Sequence, residues 1–569
     1  METIKILIVT DRPGGGFSRP EGTPPNNGDF HLGEFMKVLN DTSWNGFNID
    51  ITTAHRTTSA FAPNLIDLPS FNFATHDLMQ YDEILLFPIA RDDSSSNRIS
   101  SAEVEAISEF MDAGGGVFAT GDHEDLGAGM CREIPRVRNM RRWYFGNLDG
   151  NPAAPSGSSA DRFDTTRKGF DAAYQFNDQS DNIAQEISPE FFPKNNFSRR
   201  FAFSYRYPHP LLCSPDGIIR YLPDHAHEGQ CEVPSDLTKT VFGKDEYPKL
   251  PGSNTRLAPV VVANATVIGG NNVVNNDGVQ IKPPVNGRHF GVIGAYDGHR
   301  IVRNNKRLGR IVVDATWHHF FNINLKGASA GGNDGSAGDP IKERGFLAPL
   351  NPGQADHYKM IKHYFRNIIY WLIPAKRTIF THLGVIERFV NTGYFYEELR
   401  FDYKRFDQIP LQVYFHIAHL AESYFKSVRG ECARLFFTGE ILREIDPIRE
   451  ILDKIGPVVD PWLPEGPRPS PQIEPEPFLP RFKGIEGTDM NRIMLGATVA
   501  SFLLADQDMP EAERNEKDFT IKRAEAFEKM LPEVTQHAFG EFNQTIKSLK
   551  EEQEKSFSEI QDILSSTIK

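Results

Sequence analysis

At 569 residues the chain is longer than one hydrophobic core organises, so two or more domains are expected. Hydrophobic residues at 39% and charged residues at 24% suit a globular protein, and 42 phenylalanines supply material for a large core. A net charge of −14 argues against general nucleic-acid binding or an anionic membrane surface, since both need a basic face. The local basic run Arg136, Arg138, Arg141 and Arg142 reads as solvated surface or as a local clamp. No run of roughly 18 apolar residues is present, so no membrane span is expected. The first residues lead into a strand without the pattern of a signal peptide. The four cysteines, Cys131, Cys213, Cys231 and Cys432, are widely spaced and read as buried thiols in a reducing compartment. A cytoplasmic protein is the expectation.

In chain order, Ile4–Val9 is a short apolar run that ends in the turn-rich stretch Asp11-Arg12-Pro13-Gly14-Gly15-Gly16. His31–Leu39 has a helical pattern, Phe47–Thr52 reads as a second strand and Tyr81–Pro88 as a third. Ser101–Asp112 is an amphipathic helix with Val104, Ile107, Phe110 and Met111 on one side. Gly114-Gly115-Gly116 ends it, and Val117–Thr120 is the next strand. Strands alternating with helices predict a mainly parallel sheet covered on both faces. Residues 130–287 break the rhythm: they are rich in Pro, Asn, Asp and Ser, and read as a long, partly irregular insertion. The pattern returns at Phe290–Tyr296 and Arg310–Asp314, and a helix follows from about Ala355 to Ile373, stopped by Pro374.

The predicted division is an α/β domain over 1–374, a helical region over 375–456, a proline-rich linker over 457–482 and a helical segment over 483–569. Nine prolines between Pro457 and Pro480 make the linker extended and semi-rigid. His416 and His419 share a helical face among apolar residues and read as core or bundle positions. In the last segment Phe539, Phe542, Ile546, Leu549, Phe557, Ile560 and Leu564 form a one-sided seam. It suits either packing within the chain or a homo-oligomer through the C-terminal helices.

Four clusters combine histidine with carboxylates, the usual zinc ligands and the usual general acids and bases. Asp122-His123-Glu124-Asp125 follows a buried-looking strand, where an open α/β sheet places its ligands. The alternative is an N-cap, with Asp122 or Asp125 accepting N–H groups of the following turn; a functional role is the favoured reading of Asp122 with His123, and the N-cap that of Asp125. Asp224-His225-Ala226-His227-Glu228 offers two imidazoles that share one side of an extended segment, with a carboxylate as ligand or orienting group. A hydrogen-bonded surface loop is the alternative. Asp314-Ala315-Thr316-Trp317-His318-His319 also follows a strand. If that strand continues, only one of His318 and His319 enters the site, and Asp314 is either a buried acceptor or its orienting partner. In Asp297-Gly298-His299 the histidine reads as structural or peripheral. Asp11 and Arg12 also fall at a strand's carboxyl end, while Asp29 and His31 are weaker candidates.

The stretch Tyr81-Asp82-Glu83-Ile84-Leu85-Leu86-Phe87, the helix Glu103–Asp112 and the run from Ala113 through Gly114-Gly115-Gly116 to Gly121 together resemble the class I glutamine amidotransferase-like superfamily, in particular its trehalose-utilisation (ThuA-like) branch. Leu308-Gly309-Arg310-Ile311-Val312-Val313-Asp314, with Trp317-His318-His319 after it, is similar to that group's closing strand and histidine. Ile369-Tyr370-Trp371-Leu372 is similar to its final helix. The resemblance covers about 1–125 and 288–374. It implies a flavodoxin-like, mainly parallel sheet; the long insertion and the all-α C-terminal region lie outside it and are read from the residues themselves. It also implies a catalytic histidine at His318 or His319. The family's cysteine nucleophile is missing, because the turn after Val117–Thr120 reads Gly121-Asp122-His123-Glu124, so the usual covalent ammonia release is not expected.

These readings combine into an expected metal-assisted hydrolase acting on a small amide, ester or carbohydrate derivative. A divalent metal such as zinc would be held by members of Asp122, His123, His225, His227 and His319, with Glu124 or Glu228 as general base. A metal-free site would use His319 or His123 as acid and base, with Asp122 as partner. A non-catalytic ligand-binding or assembly protein is the rival reading.

Overall fold

A computed structural model describes residues 2–11, 31–41, 47–56, 66–91, 94, 96–121, 126–142, 184–192, 206–223, 229–267, 273–274, 277–278, 280–282, 288–326, 355–392, 395, 399, 401–429, 487–510 and 518–567. The chain divides into two compact units, one of them spanning Thr3–Thr378 and the other taking up the helices from Ile379 onward. Within the first unit the parallel strands are β1 (Thr3–Thr10), β2 (Asn48–His55), β3 (Leu68–Pro69), β4 (Glu83–Phe87) and β5 (Gly116–Ala119). Helices α1 (Gly33–Asn40) and α2 (Ser101–Asp112) lie between them in sequence.

Helix α2 is bounded by local chemistry. Ser100 and Glu103 form a reciprocal capping box at its start. At its end Gly114 takes φ +100°, and the N–H groups of Gly114 and Gly115 donate to the carbonyls of Met111 and Phe110. That closing turn satisfies two carbonyls that the helix leaves open and needs a residue without Cβ.

The remaining strands are β6 (Arg141–Arg142), β7 (Gln185–Pro189), β8 (Tyr221–Leu222), β9 (Gln230–Cys231), β10 (Val260–Val267), β11 (Arg288–Tyr296) and β12 (Ile311–Asp314). All join one sheet of 12 strands in the order β8-β7-β10-β11-β12-β5-β4-β1-β2-β3, with β9 beside β11 and β6 beside β9. From β12 to β3 every pairing is parallel; from β12 toward β8 every pairing is antiparallel. Here the structure differs from the sequence reading. The described part of 130–287 extends the central sheet, and β11 runs against β12 instead of repeating the strand–helix rhythm.

Both faces of the parallel half are covered, as such sheets require. Ile84, Leu86, Val117 and Ala119 on one face and Leu85, Phe87 and Phe118 on the other are all buried. Over the second face Phe35 of α1 and Phe365 of helix α3 (Ala355–Leu372) meet Phe87 and Phe320 at centroid separations of 5.1–5.6 Å. Register aligns the carboxyl ends of the strands. Thr10 pairs with Phe87, Leu86 with Ala119 and Ala119 with Val313, so Asp11, Pro88, Gly121 and Ala315 form the next row beyond the strand ends.

The second unit is helical. Helix α4 (Ala375–Val390) starts just before it, and α5 (Leu411–Arg429), α6 (Gly487–Asp508) and α7 (Phe519–Thr567) follow. Gly496 of α6 lies so close to α5 that a Cβ there would fall 2.1 Å from the Tyr414 carbonyl oxygen. Ion pairs Arg492–Glu422 (3.1 Å) and Arg523–Glu387 (2.7 Å) flank the contacts. His416 is half-buried on α5, but His419 is exposed, so only the former is close to the core position expected of it. No described helix is long and apolar enough to cross a membrane.

Candidate functional site

β12 ends at Asp314, whose carboxylate is fully buried. The chain then turns sharply. Thr316 caps a single helical turn over Trp317–His319 by accepting the N–H of His318, so the strand does not continue through the two histidines and strand alternation does not separate them. The turn swings His319 back toward the strand end. Its Nδ1 lies 2.9 Å and 3.1 Å from the two oxygens of Asp314. Tyr364 of α3 donates its hydroxyl to Asp314 Oδ2 at 2.5 Å, and the Thr316 N–H donates to Oδ1 at 3.1 Å. Asp314 is therefore an orienting acceptor: with the carboxylate on Nδ1, that nitrogen carries the proton and Nε2 presents a lone pair. His319 is fully buried, and its Nε2 has no hydrogen-bond partner among the described residues.

His318 takes a different role. Its ring stacks on Trp317 at 4.2 Å, and its Nδ1 sits 3.0 Å from Asn324 Oδ1. Of the two adjacent histidines, His319 is the one held by a carboxylate.

Arg141 binds the same turn from β6. It is fully buried, and its Nε and Nη2 donate to the Ala315 carbonyl at 3.2 Å and 2.7 Å. The basic run is thus a set of internal clamps: Arg136 pairs with Asp112 (3.2 Å), Arg138 with Glu246 (2.9 Å) and Arg142 with Glu232. Gly229 packs flat against Arg141; a Cβ there would fall 2.5 Å from Nη2.

At the end of β1, Asp11 Oδ1 accepts the N–H groups of Ile89 (2.7 Å) and Ala90 (3.1 Å). Its other oxygen is buried without a partner among the described residues. Burial raises its carboxyl above the ordinary value, against the two backbone donors. Burial pushes the Tyr364 hydroxyl well up, and the charge of Asp314 adds to this.

Residues Asp122, His123, Glu124 and Asp125, and the whole of Asp224, His225, Ala226, His227 and Glu228, lie outside the described residues, as do Arg12 and Asp29. Their described neighbours can be placed. Gly121 accepts the Trp317 N–H at 3.1 Å, and Gly229 touches Arg141, which binds Ala315. Gly121, before the first cluster, therefore borders the Ala315–Trp317 turn directly, and Gly229, after the second, is linked to it through Arg141. His299 is buried at the other edge of the sheet, beyond Tyr296, which pairs with the start of β12. Among the described residues no group of three or more His, Cys, Asp or Glu is placed to hold a metal ion. The sequence reading missed Tyr364, which nothing separates from the aromatic core positions of its helix, and it left Arg141 undecided between surface and clamp.

No family model matches the chain, and no curated protein matches it. A solved structure described as the mmIFT52 N-terminal domain is similar at 12% identity, covering 56% of this chain and 88% of that one, with a TM-score of 0.25. A likeness of that size supports no inference about this chain.

Proposed function

We propose that the protein is a hydrolase that activates water at the carboxyl edge of its sheet, with His319 as the base and Asp314 as the group that orients it. The observation that carries this reading is the buried Asp314–His319 pair, whose Nε2 has no partner among the described residues. A desolvated imidazole fixed through Nδ1 accepts a proton at Nε2, and the carboxylate stabilises the imidazolium that forms. Tyr364 and the Thr316 N–H hold the carboxylate in place, so little reorganisation is needed when the proton moves. Asp11 is a second acid on the same edge, kept closer to its neutral form by burial and suited to proton donation. The substrate class is a small amide, ester or carbohydrate derivative. The finer fold reading, a flavodoxin-like sheet of the glutamine amidotransferase-like, ThuA-like kind, belongs to this proposal. It rests on the strand–helix–glycine run that ends at Gly121 and on a histidine following the last parallel strand.

The same pair favours a metal-assisted version. A histidine whose Nδ1 donates to a carboxylate is the arrangement that orients a metal-bound imidazole, and the unpartnered Nε2 fits a ligand position. His319 would then hold the ion with members of Asp122, His123, His225 and His227. The ion would supply a bound water whose pKa is lowered to near ~7, with Glu124 or Glu228 as general base.

The test is turnover of an ester and amide panel by the full chain, His319→Gln and His318→Gln, together with metal content. His319→Gln is expected to lose ~10²–10⁴-fold of the rate, and His318→Gln much less. Equal rates in all three proteins refute the proposal. Loss on chelation with recovery on zinc addition selects the metal-assisted version, whereas indifference to chelator selects the imidazole alone.

A further inference from the structure

We propose that the exposed half of α7 is a dimerisation seam along which the helices of two copies of this chain run side by side in parallel. This is independent of the chemistry at Asp314. With 49 residues α7 is about 74 Å long at ~1.5 Å per residue. Its helical neighbours α5 and α6 have 19 and 22 residues, and neither spans more than about 33 Å. Burial follows that difference. Phe527, Leu531, Val534 and Ala538 are buried, whereas every residue from Lys547 to Ile560 is exposed.

The apolar face does not stop where the intramolecular partners do. Phe542, Ile546, Leu549, Phe557 and Ile560 carry the Leu531–Val534–Ala538 line outward at helical spacing, with only a slow drift around the axis. Leu549, Phe557 and Ile560 are 56%, 67% and 51% exposed. A line of large apolar side chains in water is the mark of an interaction surface.

Two features select a second copy as the occupant. In heptad register Ile546 and Ile560 fall at a and Leu549 at d, the pattern of a parallel pair, while Ser556 takes the next d and Phe557 flanks the seam at e. The polar Gln553 at the intervening a position would face its twin and fix the register. Between 547 and 560 three lysines are interleaved with four glutamates, a net charge of −1, so like copies do not repel there although the whole chain carries −14.

The test is the mass of the full chain in solution by sedimentation equilibrium at micromolar concentration. Twice the chain's 64.1 kDa is expected. The double variant Leu549→Glu/Ile560→Glu, made at exposed positions and checked for unchanged helicity, is expected to sediment as a monomer. Gln553→Cys is expected to form a covalent dimer on mild oxidation. A monomeric wild type overturns the proposal, including one in which the helix resists proteolysis because another part of the chain covers it. So does a dimer that survives the double substitution. A dimer that Gln553→Cys fails to cross-link overturns the parallel arrangement.

Discussion

Replacing Tyr364 by Phe removes one hydrogen bond from the candidate site while leaving the core filled. The ring keeps its contacts with Phe320 and Phe365, at 6.0 Å and 6.4 Å between centroids, so no cavity opens. What is lost is a donor 2.5 Å from a fully buried carboxylate. Hydrogen bonds to charged groups contribute about 1.5–3 kcal/mol, and among the described residues Asp314 keeps His319 and the Thr316 N–H after the change. Urea unfolding followed by tryptophan fluorescence suits the measurement, because Trp317 and Trp371 lie in the same unit as the bond. The midpoint should fall at unchanged slope. The pH dependence adds a signed check. The folded-state pKa of Tyr364 is raised, so its contribution is full below the unfolded value of ~10 and is lost as pH rises toward the folded value. Wild type should therefore lose stability above pH ~10 more steeply than Tyr364→Phe. Combined with Asp314→Asn, the pair should show a coupling of roughly 0.5–3 kcal/mol. A neutral-pH change below about 0.5 kcal/mol, the ordinary scale of a surface substitution, would refute the account of Asp314 as a carboxylate held by Tyr364.

Three further outcomes are expected. Both oxygens of Glu83 are buried without partners among the described residues, and burial, with Asp82, pushes its pKa well up. Its raised pKa makes stability fall as pH rises above the unfolded value of ~4.5, so Glu83→Leu should gain about 1–3 kcal/mol at neutral pH by chemical denaturation; a loss there contradicts the reading. His209 is fully buried 4.4 Å from Trp371, and burial pulls it down to about 3. Its stabilising effect is complete above pH ~6.5 and is lost as pH falls toward the folded value, up to about 5 kcal/mol in all, so His209→Asn should flatten the acid limb of an unfolding series. An unchanged acid limb would count against it. Gly229→Ala forces a Cβ against the Arg141 guanidinium and should cost roughly 1–3 kcal/mol of thermal or urea stability, whereas a neutral effect would show that Arg141 yields easily.

The parts of the fold that were legible are those specified locally. Ser100, Glu103 and Gly114 delimit α2 by their own chemistry, and the expected Ser101–Asp112 coincides with the observed helix. The antiparallel half of the sheet was not legible, because its pairing is distant in sequence. Ile187 bonds in register with Ala265, across a stretch rich in turn residues that masks the strand signal. At the site, the sequence marked Asp314 and the histidine pair but could not choose between His318 and His319. The choice is made by one turn of helix capped by Thr316, which breaks the alternation a strand would have kept. Tyr364 was hidden for another reason: a buried tyrosine on an amphipathic helix looks like core until the carboxylate it binds is located.

The thiols near the site bear on the proposed hydrolysis. Cys231 Sγ lies 3.4 Å from the Val292 carbonyl oxygen, and Cys131 is buried where the charges of Asp11 and Arg141 both reach it. Arg141 by itself favours thiolate at either position, yet burial outweighs it. Both thiols are pushed well above their ordinary value, with Asp314 adding to the effect at Cys231 and Asp11 at Cys131. Nucleophilic attack needs the thiolate, so burial works against either sulfur as a nucleophile at neutral pH. Native protein treated with iodoacetamide near pH 7.5 and mapped by mass spectrometry should show Cys131 and Cys231 unmodified until urea exposes them. Cys131→Ala and Cys231→Ala should retain any hydrolytic rate that His319→Gln abolishes. Rapid alkylation of Cys231 in the native state, with matching loss of turnover, would transfer the nucleophile's role to that sulfur and leave His319 as the base serving it.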